Sequence, residues 1–331
     1  MRGGSGADTP TVAEVSSSSR ERIFAACAPG LEPVLARELS ELGVPARPVP
    51  GGAEGEGPDA VARACLGSRV ADAVRLRVWE GPARELAEAR RRLRSRFAPR
   101  ELLERRSGSR ATISVDAGGE PVFKRGWRAR VGAAPLRESL ASGLLRQLGY
   151  DGSVAFLDPM CGSGTIAIEA ALLASGRAPG LGRTYAFEAW SDREPGRTAA
   201  LRTALTAAAR EPAPPLQASD RNGGAVRLAT RNAEAAGVSR FLRIERRDAI
   251  EVIPPSPPGV CLVNPPYGVR MNEEVEASWK ALGRLLSRLE GWTVGVLAGS
   301  PAFEKLLPGS PVDALHVRNG GLRCVLLTYR P

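Results

Sequence analysis

Residues Asn264, Pro265, Pro266 and Tyr267 follow one another directly after the apolar run CLV at positions 261 to 263. The side-chain oxygen of Asn264 and the main-chain oxygen of Pro265 can each accept a hydrogen bond, and proline contributes no competing N–H group. Tyr267 offers an aromatic face on which a flat ring can stack. These four residues could hold a conjugated amine beside an electrophile, whereas the simpler interpretation is a strand that ends in a stiff turn.

A second stretch, FLDPMCGSGTIAIEAA at positions 156 to 171, predicts a strand that ends at Asp158, a tight turn, and a helix that begins near Thr165. Gly162 and Gly164 let the backbone of the turn approach a ligand, because neither residue has a Cβ atom. The free N–H groups at the helix N-terminus favour an anionic group. The stretch lacks the third glycine of the dinucleotide fingerprint and the Gly-Lys-Ser/Thr of a phosphate-binding loop, which argues against NAD and ATP.

Two carboxylates stand at the ends of the next two predicted strands. Asp220 ends LQASD, where it could accept hydrogen bonds from both hydroxyls of a ribose, and Asp248 ends IERRD, where it could accept one from an adenine amino group. The alternative for each is that an aspartate after a strand caps a turn or a helix. Their order after the glycine turn favours the ligand-binding interpretation.

From residue 153 strands and helices alternate, which predicts a parallel α/β sheet that binds ligands at the carboxyl ends of its strands. Residues 177 to 214 are predicted to be an irregular insertion with one helix, GRTAALRTALTAAAR. The predicted strands are VAFLDP, LQASD, FLRIERRD, GVCLVNPP and WTVGVLAG, and a hairpin closes the chain at DALHVRNGGLRCVLLTYR. The motifs above therefore fall at the same edge of one sheet.

The N-terminal third is predicted to form a small α+β unit. It holds a strand at RIFAACAPG, a helix at GLEPVLARELSELG, a loop at VPGGAEGEGPD, an Arg-rich helix at ARELAEARRRLRSRF and a strand at ATISVDAGG. We assign residues 1–20 to a disordered tail, 21–118 to this unit, 119–150 to a connecting segment and 151–331 to the α/β domain.

The charge of the chain is concentrated in one region. The chain has 46 basic and 36 acidic residues, and residues 75 to 130 hold 15 Arg, one Lys and seven acids. A nucleic-acid partner and a solvated Arg-rich helix explain this region equally well. Five scattered cysteines and one histidine argue against a zinc site, so no metal is expected and a reducing cytoplasm is the predicted location. No apolar run approaches the roughly 20 residues of a membrane span, so no membrane partner is expected.

The string DPMCGSGT resembles the first motif of S-adenosylmethionine-dependent RNA guanine-N2 methyltransferases that carry an N-terminal THUMP domain. NPPY is similar to the [DN]-P-P-[YF] motif of methyltransferases that act on conjugated nitrogens. The resemblance implies a Rossmann-like class I methyltransferase domain with an open, mostly parallel sheet and a C-terminal hairpin. It implies that Asn264, Pro265, Pro266 and Tyr267 are catalytic, and that S-adenosylmethionine is bound by Asp158, Pro159, Cys161, Gly162, Ser163, Gly164, Thr165, Asp220, Asp248 and Asn264.

The connecting segment, KRGWRARVGAAPLRESL, resembles the one that joins the THUMP and catalytic domains of this family. The resemblance implies that Ser139 lies near the methionine end of the cofactor and that Lys124, Arg125 and Arg128 contact RNA phosphates. For each of these three cations a surface salt bridge is an equal alternative. The start of the chain is similar to a THUMP region but is shorter after Trp79 than a full THUMP domain, so the RNA-binding unit is expected to be incomplete.

These implications predict an enzyme that forms N2-methylguanosine in structured RNA, either 23S rRNA or tRNA, by in-line methyl transfer to a flipped guanine. Adenine N6 in DNA and glutamine in protein stay open as acceptors, because both are conjugated amines. A non-catalytic RNA-binding descendant of the enzyme also stays open, because the THUMP-like region is short.

Overall fold

The computed structural model describes residues 20–98, 101–128, 136–191, 194–266 and 273–331, so the predicted tail lies outside the described residues except for Arg20. Within this part of the chain, the strands form two sheets. None of the described helices is long and apolar enough to cross a membrane.

The first sheet belongs to the N-terminal unit. Its strands are β1 (Glu21–Ala26), β2 (Ala46–Val49), β3 (Gly52–Gly57), β4 (Ala73–Pro82), β5 (Leu102–Ser107) and β6 (Arg110–Asp116), and its helices are α1 (Glu32–Glu41), α2 (Ala60–Gly67) and α3 (Leu86–Leu93). The six strands run in the order β2-β3-β1-β4-β6-β5, and each neighbouring pair is antiparallel. Ile23 and Ala25 of β1 are buried in the core beneath the helices, whereas Arg22, which precedes Ile23, is exposed.

Two strands of this sheet differ from the sequence-based expectation. The segment expected to be a loop, VPGGAEGEGPD, contributes the end of β2 and all of β3, because its glycines permit close pairing with β1. A Cβ atom on Gly52 would lie 1.9 Å from the carbonyl oxygen of Ala25. β5 has one buried residue among six, so it shows none of the apolar alternation that predicts a strand. The predicted Arg-rich helix is confirmed over its central part, as α3.

The second sheet carries the predicted motifs. Its strands are β7 (Phe156–Asp158), β8 (Leu216–Asp220), β9 (Leu242–Arg246), β10 (Val260–Val263), β11 (Thr293–Ala298), β12 (Asp313–Asn319) and β13 (Leu322–Tyr329), and the helices of this region are α4 (Glu138–Gln147), α5 (Thr165–Ala174), α6 (Pro195–Ala207), α7 (Gly223–Ala235) and α8 (Glu273–Leu286). The order is β12-β13-β11-β10-β7-β8-β9. The five strands from β11 to β9 are parallel, and the closing hairpin pairs antiparallel with β11. The predicted fold is thereby confirmed, including the C-terminal hairpin and the helix in the insertion.

The apolar runs of the sequence explain the layering of this second unit. Every residue of β7 and of β10 is buried, as expected of parallel strands that have both faces covered. All ten residues of α5 are buried too. That helix packs on the sheet through β7 and β8 and on α4 along another side, so no side of it meets solvent.

Arg69, after α2, ties the N-terminal unit to the second unit. Its Nη2 donates hydrogen bonds to the main-chain oxygens of Leu172 (3.0 Å) and Arg177 (2.5 Å). Its own N–H donates to Oε1 of Glu38 in α1 at 3.0 Å. Burial lowers the pKa of the Arg69 guanidinium to about 10, so the group stays charged at neutral pH.

A second buried arginine completes this contact. Arg125 Nε lies 3.5 Å from Oε1 of Glu169 in α5, and neither side chain is more than 1% exposed. Arg125 also donates to the carbonyl oxygen of Arg69 at 2.5 Å, and Ser142 donates to the second carboxylate oxygen of Glu169 at 2.5 Å. We refer to Glu38, Arg69, Arg125 and Glu169 as the bridging charge network.

Candidate active site

The carboxyl ends of β7, β8, β9 and β10 surround a pocket of about 280 Å³. It lies where the strand order reverses, between β7 and β10, which is the usual ligand position in an open α/β sheet. Its lining residues are Pro159, Met160, Gly162, Asp220, Arg221, Asp248, Ala249, Asn264, Pro266, Ser278 and Ala281. Six residues predicted from the motifs therefore meet in one cavity.

Asp158, the last residue of β7, is a buried carboxyl group. Its Oδ1 accepts a hydrogen bond of 3.4 Å from the main-chain N–H of Met160, and its Oδ2 has no partner among the described residues. Burial raises the pKa of this carboxyl to about 8, and the nearby Asp220 carboxylate adds to the rise. A buried acceptor that lacks a donor is costly, so this atom fits a bound cationic or N–H-bearing group.

The turn after Asp158 depends on its glycines in two ways. Gly162 has φ of +52°, and a Cβ atom there would meet nothing within 4 Å, so the backbone faces open space. Gly164 has φ of +83°, and its Cβ would lie 3.0 Å from Cβ of Ala229 in α7. Gly162 thus leaves room for a ligand, whereas Gly164 lets α5 and α7 pack closely.

The other residues of the turn hold its shape. The Cys161 N–H donates to the carbonyl oxygen of Ser219 at 2.9 Å, and the carbonyl oxygen of Ser163 accepts from the Asn232 side chain at 2.9 Å. Burial raises the pKa of the Cys161 thiol well above its usual range, and Asp158 and Asp220 raise it further. Cys161 is therefore a neutral packing residue rather than a nucleophile.

Asp220 and Asp248 both line the pocket, and both also support the local backbone. Asp220 Oδ2 accepts from the N–H of Gly162 at 2.9 Å, and its Oδ1 accepts from the N–H of Asn222 at 2.8 Å. Asp248 caps the short turn that follows β9 by accepting from the N–H of Ile250 at 3.1 Å. Asp248 therefore caps a turn and also lines the pocket. Both are possible because each carboxylate oxygen keeps a second lone pair.

Asn264 begins the proline turn at the end of β10. Its Oδ1 is buried and has no partner among the described residues. The carbonyl oxygen of Pro266 accepts a hydrogen bond of 3.0 Å from Nε1 of Trp279, a fully buried α8 residue that stacks on Phe303 with ring centroids 4.8 Å apart. The hydrogen bond from Trp279 thus anchors the turn at Pro266, whereas the amide oxygen of Asn264 remains available to a ligand. Tyr267 lies outside the described residues.

Four residues of the connecting segment and of α4 were expected to bind ligand or RNA, and the structure corrects one of them. Arg125 cannot contact RNA phosphates, because its guanidinium is buried against Glu169. Arg128 is mostly buried and bonds Glu138 at 2.9 Å and the hydroxyl of Thr165, the first residue of α5, at 3.1 Å. Exposed Lys124 lies 3.6 Å from Glu120, so the salt-bridge alternative holds for it too. Ser139 is buried and donates to Asp72 at 2.5 Å, outside the pocket lining.

Sequence reasoning did not identify six residues that complete the site. Trp279 lies on the apolar face of an amphipathic helix, where the sequence does not distinguish it from any core tryptophan. Its distance of 13 positions from Pro266 gives no local pattern. The other five line the pocket from inside the glycine motif, after Asp220 and Asp248, and from α8: Met160, Arg221, Ala249, Ser278 and Ala281.

The open sheet, the glycine turn after its first strand and the acids on the two following strands define a Rossmann-like class I methyltransferase. The model of the RMKL-like methyltransferase domain family matches residues 125–328, and that of the RlmL ferredoxin-like domain matches residues 22–75. Since the first match covers more than half of the chain, this protein belongs to the RMKL-like methyltransferase domain family. Its cofactor is S-adenosylmethionine. The N-terminal match is to a ferredoxin-like domain, and a THUMP domain stays a prediction.

Three solved structures show the same fold. SMU.472 complexed with SAH is 22% identical, with a TM-score of 0.85 over 94% of this chain and 98% of that one. A predicted N6-adenine-specific DNA methylase from Listeria monocytogenes is 24% identical, with a TM-score of 0.85 over 94% and 96%. TrmN from Thermus thermophilus is 22% identical, with a TM-score of 0.67 over 94% and 100%. These chains are matched almost end to end, so both units of the fold recur together.

Proposed function

We propose that this protein methylates the exocyclic N2 amine of guanine in structured RNA, either 23S rRNA or tRNA. The observation that carries the proposal is the buried Oδ1 of Asn264 at the rim of the pocket, which has no partner among the described residues. An acceptor at this place suits an N–H group on a planar conjugated amine. The resemblance of the connecting segment to that of RNA guanine-N2 enzymes, and the ferredoxin-like N-terminal match, support RNA over other carriers of such an amine.

Residues that line the pocket or lie beside it are proposed to have two roles. Asp158, Gly162, Asp220 and Asp248 hold the cofactor, which supplies an electrophilic methyl group when bound. Asn264 and Pro265 accept hydrogen bonds from the target amine and orient its lone pair. Trp279 keeps the turn in place through the Pro266 carbonyl. Tyr267 is proposed to stack on the flipped base, an interaction worth about 1–3 kcal/mol per base.

The proposed function also assigns a role to each region of the chain. We propose that residues 21–118 form an RNA-binding unit that resembles a shortened THUMP region, that 119–150 connect it, and that 151–331 form the catalytic domain of a cytoplasmic enzyme. The bridging charge network supports a fixed relation between the first and last of these, because it buries charges from both.

The direct test is transfer of labelled methyl from S-adenosylmethionine to total RNA extracted from a strain that lacks the gene. Wild-type protein is expected to label RNA, and mass spectrometry of the digested product is expected to find N2-methylguanosine. Asn264→Ala is expected to abolish labelling while it still binds S-adenosylhomocysteine. A wild-type protein that binds the cofactor and methylates neither rRNA nor tRNA would sink the proposal.

Adenine N6 in DNA is the second candidate, favoured by the similarity to the predicted N6-adenine-specific DNA methylase from Listeria monocytogenes. The same pocket could hold an adenine amine, since the Asn264 oxygen does not distinguish the two conjugated amines. Treatment of the labelled product with ribonuclease or deoxyribonuclease separates the candidates. Label that survives ribonuclease and is lost with deoxyribonuclease would replace guanine in RNA by adenine in DNA.

A further inference from the structure

A group of exposed arginines borders the pocket on the side of β9, away from the basic region that composition pointed to. Residues 221 to 247 contain seven Arg and two Glu. Four of the seven lie before α7, on α7 and at the end of the neighbouring strand β9, and we call them the α7 arginine cluster: Arg221, Arg227, Arg231 and Arg246. All four are exposed.

Two side chains of the cluster, those of Arg227 and Arg246, meet at the beginning of α7. A Cβ atom on Gly223 would lie 3.6 Å from Nη1 of Arg227 and 3.6 Å from Cδ of Arg246. Arg246 also donates through Nε to the carbonyl oxygen of Arg221 at 3.2 Å. Arg231 follows Arg227 by four positions, so it lies one helical turn further along the same face.

Charge compensation separates this cluster from the other arginines of the segment. Arg240 pairs with Glu211, and Arg243 and Arg247 share Glu245. Arg227, Arg231 and Arg246 have no acidic partner among the residues that the structure describes. Among the described acidic residues, the Arg221 guanidinium pairs with Glu274, whose side chain is 78% exposed. Like charges held together at the positive end of a helix repel one another, and a bound anion would remove that cost.

The position of the cluster relates it to the reaction. Arg221 lines the pocket next to Asp220, so the cluster is continuous with the site where the target base is proposed to enter. The cations run from Arg221 at the pocket, past Arg227 and Arg246 at the beginning of α7, to Arg231 one helical turn further along. An extended row of uncompensated guanidinium groups matches a chain of phosphates better than a single small anion.

We infer that the α7 arginine cluster binds the phosphate backbone of the RNA strand that carries the target nucleotide. The inference rests on the proposed function for the identity of the polyanion. The cluster holds the strand by charge and reads no base, so it positions the RNA whichever guanine is modified.

The test compares two charge-removing triple variants of the full-length protein. Arg227→Gln/Arg231→Gln/Arg246→Gln removes uncompensated cations, and Arg240→Gln/Arg243→Gln/Arg247→Gln removes the same number of paired ones nearby. RNA affinity is measured against salt concentration by fluorescence anisotropy on labelled tRNA and on a 23S rRNA fragment. The cluster variant is expected to bind at least about tenfold more weakly, with a salt slope reduced by roughly two to three, because each phosphate contact contributes about 0.7–0.9 to that slope.

The control variant is expected to change affinity less than threefold. A third variant, Arg227→Lys/Arg231→Lys/Arg246→Lys, is expected to keep the salt slope, since lysine retains the charge. S-adenosylhomocysteine affinity and melting temperature are expected to stay at wild-type values in all three variants, which shows that the pocket and fold are intact.

The outcomes distinguish the inference from the proposed function. Wild-type methylation of RNA together with an unchanged salt slope in the cluster variant would overturn the inference and leave the function standing. Methylation of DNA in place of RNA would overturn both. Loss of binding to phosphatidylserine vesicles in the cluster variant, with RNA binding intact, would assign the cluster to a membrane surface and overturn the inference.

Discussion

The bridging charge network and the cofactor pocket both bury ionisable groups, but they differ in how those groups are compensated. Glu169 Oε1 lies 3.5 Å from Arg125 Nε in an ion pair without a hydrogen bond, and the other oxygen accepts a hydrogen bond from Ser142, so the charge is met inside the protein. Asp158 has an oxygen with no partner among the described residues and a pKa raised to about 8 by burial. The network therefore joins the two units through paired charges, whereas the pocket leaves a buried carboxyl oxygen available to a ligand.

The largest expected effect on stability comes from removing one partner of the buried ion pair in the bridging charge network. Glu169→Ala leaves the Arg125 guanidinium buried without its counter-ion, which typically costs 3–5 kcal/mol, so we expect a loss of about that size in the free energy of unfolding. Urea denaturation measures it. The double variant Arg125→Met/Glu169→Leu is the control, because it removes both charges and is expected to recover most of the loss. Equal destabilisation by the double variant would show that the ion pair itself is not what matters.

The pocket is expected to respond in the opposite way. Asp158→Asn removes a buried carboxyl that has no protein donor on Oδ2, so we expect unfolding free energy at pH 8 to stay equal or rise. Affinity for S-adenosylhomocysteine is expected to fall by about 1.5–3 kcal/mol, the usual value of a hydrogen bond to a charged group, as measured by isothermal titration calorimetry. A variant that lost stability and kept its affinity for S-adenosylhomocysteine would contradict the assignment of Asp158 to cofactor binding.

The raised pKa of Asp158 also sets a pH dependence. The folded protein holds this proton up to about pH 8, whereas the unfolded chain releases it near the ordinary aspartate pKa of 3.8. The stabilising contribution of the proton is therefore complete below about pH 4 and is lost as pH rises towards 8. A cationic ligand favours the carboxylate, so binding is expected to release a proton below pH 8 and to strengthen between pH 6 and 8. Calorimetry in buffers of different ionisation enthalpy measures that proton, and Asp158→Asn should abolish it.

The smallest predicted effect tests the anchor of the proline turn. Trp279→Phe keeps most of the packing on Phe303 but removes the hydrogen bond to the Pro266 carbonyl, so we expect a loss of about 1 kcal/mol in stability. Methyl transfer is expected to fall through kcat more than through cofactor affinity, because the turn that carries Asn264 becomes less well placed. A change confined to cofactor affinity would contradict this role.

Local sequence patterns were enough to locate most of the pocket. The glycine turn, Asp220, Asp248 and Asn264 each follow a strand whose apolar run is visible in the sequence, and a parallel sheet brings such strand ends together. The roles of these residues stay predictions, but their convergence did not need the structure.

What could not be predicted depends on contacts between distant segments. Arg125 reads as a surface cation beside Lys124, yet Glu169, 44 positions away in an apolar helix, draws it into the interior. The glycines of β3 predict a loop, but in the structure they allow this strand to pair closely with β1. Charge counting placed the basic surface in the N-terminal unit, where Glu54, Glu80 and Glu88 each pair with two arginines, and so missed the uncompensated arginines of α7.

Helix α5 connects the two compared regions, and this has a consequence for modularity. Its first residue, Thr165, follows the cofactor turn, and near its other end Leu172 accepts a hydrogen bond from Arg69 of the N-terminal unit. Residues 125–328 form a family domain by sequence, but expressed alone they would leave the Leu172 carbonyl and the buried Arg125 without their partner Arg69. The second unit is therefore not expected to be a transplantable module. A chimera that exchanges the N-terminal unit has to carry matching partners for Leu172 and Arg125, so the two units are expected to be exchangeable only as a pair.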